Sequence, residues 1–220
     1  MNEFKNITYM VDDVLILDKV TIELSSNSLI AIVGPNGAGK TTLIEILADI
    51  KGKDIDLPLR KAKKIVYLNQ NYLVYEYLKV NEYVKLISYI NKLPDQFVNN
   101  LIDDFKALGI EQFWSTKVKD LSLGQRQKVL VLTGLMSNPE ILLFDEPFNG
   151  LDITSYEYVL QLFQKYQKEF SIVFSTHELE GLSKICDSVI LLKEGKVKKQ
   201  LMRKNGDLKD DKEIFELFKN

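Results

Sequence analysis

The chain has 220 residues, of which 45% are hydrophobic and 27% charged, and its formal net charge is −2. A chain of this length and composition can bury a sizeable core as one large or two small soluble domains. Because the net charge is close to zero, there is no electrostatic reason to expect a nucleic-acid partner.

Targeting and redox features favour the cytoplasm. The single cysteine, Cys186, excludes an internal disulfide and fits a reducing compartment, where we expect a small buried apolar side chain. The N-terminus lacks the basic and long apolar regions of a signal peptide, and no segment approaches the roughly 18 apolar residues of a membrane span. We therefore predict a cytoplasmic chain that does not span a membrane; if it works on a membrane, another chain must cross the bilayer.

The N-terminal third predicts an antiparallel β unit that leads into a parallel sheet. Two β-rich runs at 4–10 and 14–24 flank a turn pair at 12–13, which predicts two antiparallel strands. Residues 29–33 are apolar without alternation, as in a parallel strand covered on both faces. Three further elements should follow this strand: a helix ending near 51–52, a loop or short ribbon over 53–64, and a strand at 65–68.

The middle of the chain predicts two amphipathic helices. From about residue 78 to 110, apolar residues recur at helical spacing. Pro94 is expected to open the second helix, since proline is tolerated in a first helical turn. We interpret residues 71–121 as a helical subdomain inserted into an α/β core. The residues predicted to share the two apolar faces are Val80, Tyr83, Val84 and Ile87, and then Phe97, Leu101, Ile102 and Phe105.

The C-terminal half predicts alternating helices and buried strands. A helix from Ser122 ends before Asn138-Pro139, and the apolar run 141–144 is typical of a central parallel strand. The elements expected next are a helix at 153–168, a strand at 171–175, a helix ending near 186, and strands at 189–192 and 196–201. The chain is thus predicted to be one α/β domain over 1–220, with a core at 1–70 and 122–205 and a C-terminal helix at 208–220.

A glycine-rich segment follows the apolar strand at 29–33. Its sequence, GPNGAGKT at 34–41, matches the phosphate-binding loop G-x-x-x-x-G-K-[ST]. In such a loop the backbone N–H groups turn toward a pyrophosphate, the lysine reaches the terminal phosphates, and the threonine hydroxyl binds Mg2+. The following helix N-terminus also favours anions. The predicted nucleotide-binding residues here are Gly34, Pro35, Asn36, Gly37, Ala38, Gly39, Lys40, Thr41 and Thr42.

Two acidic residues, Asp145 and Glu146, follow the apolar strand at 141–144. A Mg2+-nucleotide needs a nearby carboxylate, and hydrolysis needs a base. We therefore predict that Asp145 holds Mg2+ and that Glu146 polarises the attacking water. A solvated turn is the alternative for two acids at a strand end.

Four further features have a structural as well as a functional interpretation. His177, the only histidine, follows one strand and Gln70 closes another, and each alone is more simply structural. The S-x-x-Q pattern at 122–125 and the S-x-x-E pattern at 175–178 fit helix capping boxes. A capped helix start that points its N–H groups outward is also an anion site.

Taken in order, these motifs resemble the nucleotide-binding domain of the ATP-binding cassette (ABC) family, and the resemblance covers nearly the whole chain. It implies a P-loop NTPase core with a mainly parallel sheet, an antiparallel β subdomain and an inserted helical subdomain. The matching segments are Walker A at 34–41, the Q-loop at Gln70, the signature at 121–125, Walker B at 141–146, the D-loop at 149–152 and the switch histidine His177.

The resemblance implies an ATPase that works as a head-to-tail dimer, either homodimeric or heterodimeric. Each ATP would lie between the Walker residues of one cassette and the signature of the other. Lys40 and His177 would contact phosphate, and Glu146 would be the general base. The residues implied to organise Mg2+ are Thr41, Gln70 and Asp145, and those implied to reach the partner's ATP are Ser122, Gly124 and Gln125, with Asp152 near the interface.

Two residues and one segment show how closely the chain follows the family pattern. Tyr9 lies where the family places the aromatic residue that stacks on adenine, with a plain strand tyrosine as the alternative. Leu123 stands where glycine is commonest in the signature, and a side chain is tolerated there if it points away from the phosphate. The stretch between 51 and 65 is shorter than usual for the family, which leaves the size of the antiparallel sheet open.

The resemblance implies the ATP-binding and ATP-hydrolysing subunit of an ABC transporter that powers a separate transmembrane permease. The aromatic-rich segment 72–77 is a candidate contact with that permease, with core packing as the alternative. The compact single cassette favours an exporter over a sugar-type importer. A soluble ABC ATPase acting on nucleic acid or the ribosome is the competing function, although such members carry two cassettes or a very long coiled coil.

Overall fold

The described residues, 2–55, 64–206, 208 and 210–219 of a computed structural model, form eight strands in two sheets. The strands are β1 (Asn2–Val11), β2 (Val14–Leu24), β3 (Leu29–Val33), β4 (Ile65–Leu68), β5 (Ile141–Phe144), β6 (Ser171–Thr176), β7 (Ser188–Lys193) and β8 (Lys196–Met202). The larger sheet has the order β4-β5-β6-β3-β7-β8, and only its β7–β8 pair is antiparallel. The predicted mainly parallel sheet is therefore confirmed.

β1 and β2 form the predicted antiparallel hairpin. Asp12 and Asp13 have φ angles of 45° and 64°, which suit a two-residue turn whose twist matches that of the strands. Residues 20–24 of β2 alternate between buried and less buried positions, as a half-covered strand requires. Most of the loop or ribbon predicted over 53–64 lies outside the described residues.

Seven α-helices are described around the sheets. They are α1 (Lys40–Leu47), α2 (Val80–Ile90), α3 (Asp95–Lys106), α4 (Leu123–Leu135), α5 (Ile153–Tyr166), α6 (Leu182–Ile185) and α7 (Asp211–Lys219). α1 stops earlier than predicted because Asp49, just after its end, has a left-handed φ of 59°. Within the described ranges, no helix has both the length and the apolar character needed to cross a membrane.

Alternate residues of the central strands face two separate cores. In β5, Leu142 and Phe144 join the core on the α2–α5 side, whereas Ile141 and Leu143 join the core under the hairpin and α1. This arrangement explains why the sequences of β3 and β5 are apolar at every position, since neither face of these strands is exposed to water. The carboxyl ends of β3, β5 and β6 consequently meet at one edge of the sheet.

The helical segment packs on the first of these cores. The face predicted for α2 is buried as a unit, and so are Leu101 and Phe105 of α3, while Phe97 and Ile102 are partly buried. Pro94 directly precedes α3, and its carbonyl oxygen accepts hydrogen bonds from the N–H groups of Phe97 and Val98. The boundaries of the helical subdomain stay a prediction.

The C-terminal helix attaches to the segment that follows β6. The helix predicted there is reduced to the four residues of α6, since Gly181 before it has a left-handed φ of 80°. The Asp211 carboxylate, at the start of α7, accepts hydrogen bonds from the N–H groups of Gly181 and Ser183, at 2.8 Å each. Cys186 is fully buried, as expected, and burial raises the pKa of its thiol.

Candidate functional site

The glycine-rich segment at 34–41 runs from the end of β3 into the N-terminus of α1. Gly39 directly precedes α1 with a φ of 98°, which strains any residue with a side chain. No side chain caps α1, so the N–H groups of its first turn face the space in front of the helix. This is the geometry in which a helix N-terminus binds an anion.

Lys40, the first residue of α1, is only 6% exposed. Its ammonium donates hydrogen bonds to the carbonyl oxygens of Gly34 at 2.9 Å and Pro35 at 3.2 Å. Its Nζ also lies 3.3 Å from Oε1 of Glu146. These oxygen atoms offset the cost of burying a positive charge beside the loop.

The Asp145 carboxylate is held by two hydroxyl groups. Thr41 Oγ1 donates to Oδ2 at 2.8 Å, and Ser175 Oγ donates to Oδ1 at 2.6 Å. The Ser175 oxygen in turn accepts a hydrogen bond from the N–H of Glu146 at 2.9 Å. Ser175 therefore fixes both acids that follow β5.

Glu146 is held between two nitrogen groups. Its Oε1 faces Lys40, while its Oε2 lies 3.1 Å from Nδ1 of His177. The φ of Glu146 is 53°, which is uncommon for a residue other than glycine. The carboxylate is thereby aimed at the end of the glycine-rich loop.

A cavity of about 640 Å³ opens over these groups. The structure thus brings the loop, the acid predicted to be the base and the only histidine together from distant parts of the chain. The lining residues are Ile16, Asn36, Gly37, Gly39, Lys40, Thr41, Thr42, Glu146, Asn149 and His177.

Gln70 and Tyr9 do not line this cavity, and neither do four predicted residues beside it, Gly34, Pro35, Ala38 and Asp145. Gln70 is exposed in the turn after β4, beside the strand that ends at Phe144. Tyr9 is half-buried on β1, and it lies near Lys51, beyond the far end of α1. The residue of the hairpin that lines the cavity is Ile16 of β2, not Tyr9, which the resemblance implies to stack on adenine.

The predicted signature residues and Asp152 do not line the cavity of their own chain, whereas Asn149, the first residue of the predicted D-loop, does. Ser122 and Gln125 form the predicted capping box of α4, with the Gln125 N–H 3.3 Å from Ser122 Oγ and the Ser122 N–H 3.0 Å from Gln125 Oε1. Asp152 caps α5 and accepts from the N–H and the hydroxyl of Ser155 at 2.9 Å each. The hydrogen bonds from Ser155 lower the pKa of Asp152.

The capping box predicted at 175–178 is wrong. The Ser175 hydroxyl bonds Asp145 instead, and the N–H of Glu178 donates to Thr176 Oγ1 at 3.0 Å. Sequence reasoning therefore missed Ser175, which is fully buried at the end of β6. A polar residue at the carboxyl end of a buried strand, next in the sheet to the strand with the acids, was the available signal.

Comparison with known proteins gives the family. The family model described as ABC transporter matches residues 17–149, more than half of the chain. The chain belongs to the ABC transporter family. It is 32% identical over 194 residues to an uncharacterised ABC transporter ATP-binding protein of Methanocaldococcus jannaschii, covering 87% of this chain and 74% of that protein. It is 29% identical to a probable sulfate/thiosulfate import ATP-binding protein of Chlorella vulgaris, covering 82% of each.

Solved ABC cassettes share the fold of this ABC protein. An ATP-binding subunit of an ABC transporter matches with a TM-score of 0.78 at 23% identity, covering 99% of both chains. A dimeric cassette in a post-hydrolysis state, bound to ADP and Pi, is 25% identical with a TM-score of 0.73, covering 92% of this chain and 98% of that one. The predicted fold is confirmed, and the chain is an ABC ATPase that binds ATP.

We expect Ser175→Ala to lower kcat by at least about tenfold, equivalent to about 1.4 kcal/mol of activation free energy. Asp145 would lose a donor and the Glu146 N–H an acceptor, and buried polar groups without partners are costly. Steady-state ATPase assays measure the effect. Ser171→Ala is the matched control, because Ser171 is also buried on β6 and hydrogen-bonded, but at the strand's other end. Equal loss in both variants would assign Ser175 a purely structural role.

Proposed function

We propose that this ABC ATPase hydrolyses Mg2+-ATP as a dimer and thereby powers a separate transmembrane subunit. The observation that carries the proposal is the Glu146 carboxylate, which lies between buried Lys40 and His177 at the end of the phosphate-binding loop. A base in hydrogen-bonding contact with a histidine, beside an anion site, suits activation of water against a phosphate.

The residues present fit a magnesium ion. Thr41 Oγ1 and the Asp145 carboxylate are oxygen ligands 2.8 Å apart, and Mg2+ prefers oxygen ligands and is usually held by one or two protein groups together with substrate phosphates. Bound Mg2+ would neutralise charge that develops on the phosphate oxygens. Gln70, in the turn beside Asp145, is proposed as a further ligand.

Lys40 and the loop N–H groups would bind the terminal phosphates. A phosphate that draws the Lys40 ammonium toward itself competes with Glu146 for that charge. Glu146 would then be free to accept the proton of the attacking water, and His177 would contact the phosphate that water attacks. Binding and base activation are coupled in this scheme through one ion pair.

The second half of the site is proposed to come from a partner cassette. Ser122, Gly124 and Gln125 do not line the cavity of their own chain, yet Ser122 caps a helix whose N-terminus favours anions. The dimeric cassette bound to ADP and Pi supports this arrangement by similarity. Asp152 would lie near the shared interface, and the partner is a second copy or a homologous cassette.

The aromatic-rich segment at 72–77 divides into a buried and an exposed part. Leu73 is buried and Tyr72 packs against the core, whereas Val74, Tyr75 and Tyr77 are 67%, 51% and 75% exposed. Exposed aromatic and apolar side chains in one segment favour a protein contact. We propose that this exposed part binds the transmembrane subunit.

The direction of transport stays a prediction. Export was expected from the compact cassette, whereas the relatives include import proteins, such as a spermidine/putrescine import ATP-binding protein of Nitratidesulfovibrio vulgaris, 26% identical over 208 residues. The relatives therefore give no support for export. No observation favours the competing function on nucleic acid or the ribosome.

Glu146→Gln should retain ATP binding, lose turnover by roughly 10²–10⁴-fold and accumulate as an ATP-bound dimer, because an amide cannot accept the proton. ATPase assays and size-exclusion chromatography with ATP measure the two effects. Glu178→Gln is the control, since this exposed acid lies 3.8 Å from the other ring nitrogen of His177. Wild-type turnover by Glu146→Gln would remove Glu146 from the role of base.

Ser122→Arg and Lys40→Ala proteins should each be inactive alone and recover activity when mixed. Each heterodimer would contain one intact composite site, so random mixing should give about a quarter of wild-type turnover. Mixing Ser122→Arg with the Ser122→Arg/Lys40→Ala double variant is the control and should restore nothing. Absence of recovery in the first mixture, with ATP-dependent pairing also absent, would rule out the shared site.

Tyr75→Ser/Tyr77→Ser should reduce co-purification with a membrane-spanning protein from detergent-solubilised membranes, while the ATPase activity of the isolated chain stays unchanged. Met10→Ser, which alters an exposed apolar residue on the hairpin, is the control. Recovery of the wild-type chain with ribosomes or nucleic acid and without a membrane protein would instead support the competing function.

A further inference from the structure

The N-terminus of α4 lies so close to the loop between β5 and α5 that two glycines are required. A Cβ on Gly124 would lie 2.6 Å from the Gly150 carbonyl oxygen, and a Cβ on Gly150 would lie 2.7 Å from Cγ of Leu123. Cβ atoms essentially never approach other heavy atoms within 3.0 Å. The Leu123 side chain therefore occupies the space that a side chain at position 150 would need.

A second contact joins the same two segments one turn further along α4. The Gln127 side chain is buried, and its amide donates to the Glu146 carbonyl oxygen at 3.4 Å. The N–H of Asn149 donates to the same carbonyl oxygen, also at 3.4 Å. The signature helix is thus packed, within one chain, against the loop that begins at the proposed base and ends at Asp152.

The contact explains why Leu123 is tolerated in the signature. A large side chain at 123 faces a residue without a side chain at 150, so the two positions are complementary. Leu123 is 55% exposed, so it is not a core residue whose presence is explained by burial of its side chain. The Leu123 side chain packs against Gly150, which has no side chain in the way.

We propose that Leu123 is a positioning residue that fixes the signature segment to residues 148–152 of the same chain. The inference rests on the proposed function, in which Ser122 serves the partner's nucleotide while Glu146 serves its own. A displacement of the loop at Glu146 then moves Ser122 through the Leu123–Gly150 contact. The contact couples the two nucleotide sites of the dimer.

A double-mutant cycle of Leu123→Gly, Gly150→Ala and the double variant tests this coupling. Gly150→Ala should lower kcat by about tenfold or more when Leu123 is present, but by less than about threefold in the Leu123→Gly background. Leu123→Gly alone should keep KM within about twofold and reduce cooperativity in ATP, a readout that a merely structural role would not change.

Gly206→Ala is the control for backbone strain. Gly206 has a φ of 74°, close to the 78° of Gly150, but no atom lies within 4 Å of its added Cβ. The Gly206→Ala variant measures the effect of placing alanine at a positive φ without a steric clash, and we expect its kcat to be unchanged. If the Gly150→Ala variant does not fold but the Leu123→Gly/Gly150→Ala double variant is soluble, the contact is supported. If neither variant folds, the contact is contradicted.

Formation of the dimer is measured first, with the Glu146→Gln variant and ATP. This separates a failure of the proposed dimer mechanism from a failure of the proposed role of Leu123. If that dimer forms and Gly150→Ala lowers kcat by the same factor with and without the Leu123 side chain, Leu123 is not a positioning residue. The proposed function then still stands. If no dimer forms with ATP, the proposed dimer mechanism is wrong and so is the coupling of its two sites.

Discussion

The buried charge of Lys40 is the constraint on which the site depends. An ammonium group that is only 6% exposed must be compensated, and the loop carbonyls and the Glu146 carboxylate do so. The loop and the carboxylate come from distant parts of the chain. The parallel sheet brings them together, because β6 is hydrogen-bonded to both β3 and β5, and the carboxyl ends of these strands carry the loop, the two acids and the histidine.

The same sheet explains why its central strands are almost entirely apolar on both faces. Each central strand contributes alternate side chains to two different cores, so a polar residue in the middle of a strand would be buried among apolar side chains. The serines of β6 lie at or near its ends, Ser171 at the amino end and Ser175, which bonds Asp145, near the carboxyl end. Stability and chemistry are thus assigned to different parts of the same strands.

Much of the fold followed from local sequence. The glycine-rich loop between a strand and a helix, the apolar strands and the α2 face depend on contiguous patterns, and the structure contains each of them. The second capping box failed because Ser175 bonds an acid 30 positions away, which no local spacing encodes. The location of Tyr9 depends on the register of a hairpin with three irregularities, and a shift of register changes which residue reaches the cavity. The fit of Leu123 on Gly150 likewise depends on tertiary packing.

The two hydrogen bonds from Gly181 and Ser183 to Asp211 have a consequence for biosynthesis. The segment after His177 has its N–H groups paired by a residue of the C-terminal helix, so a nascent chain lacks that pairing until Asp211 has left the ribosome. A domain generally folds as a unit. The segment that follows the histidine is therefore held in place only after the C-terminal helix has been synthesised.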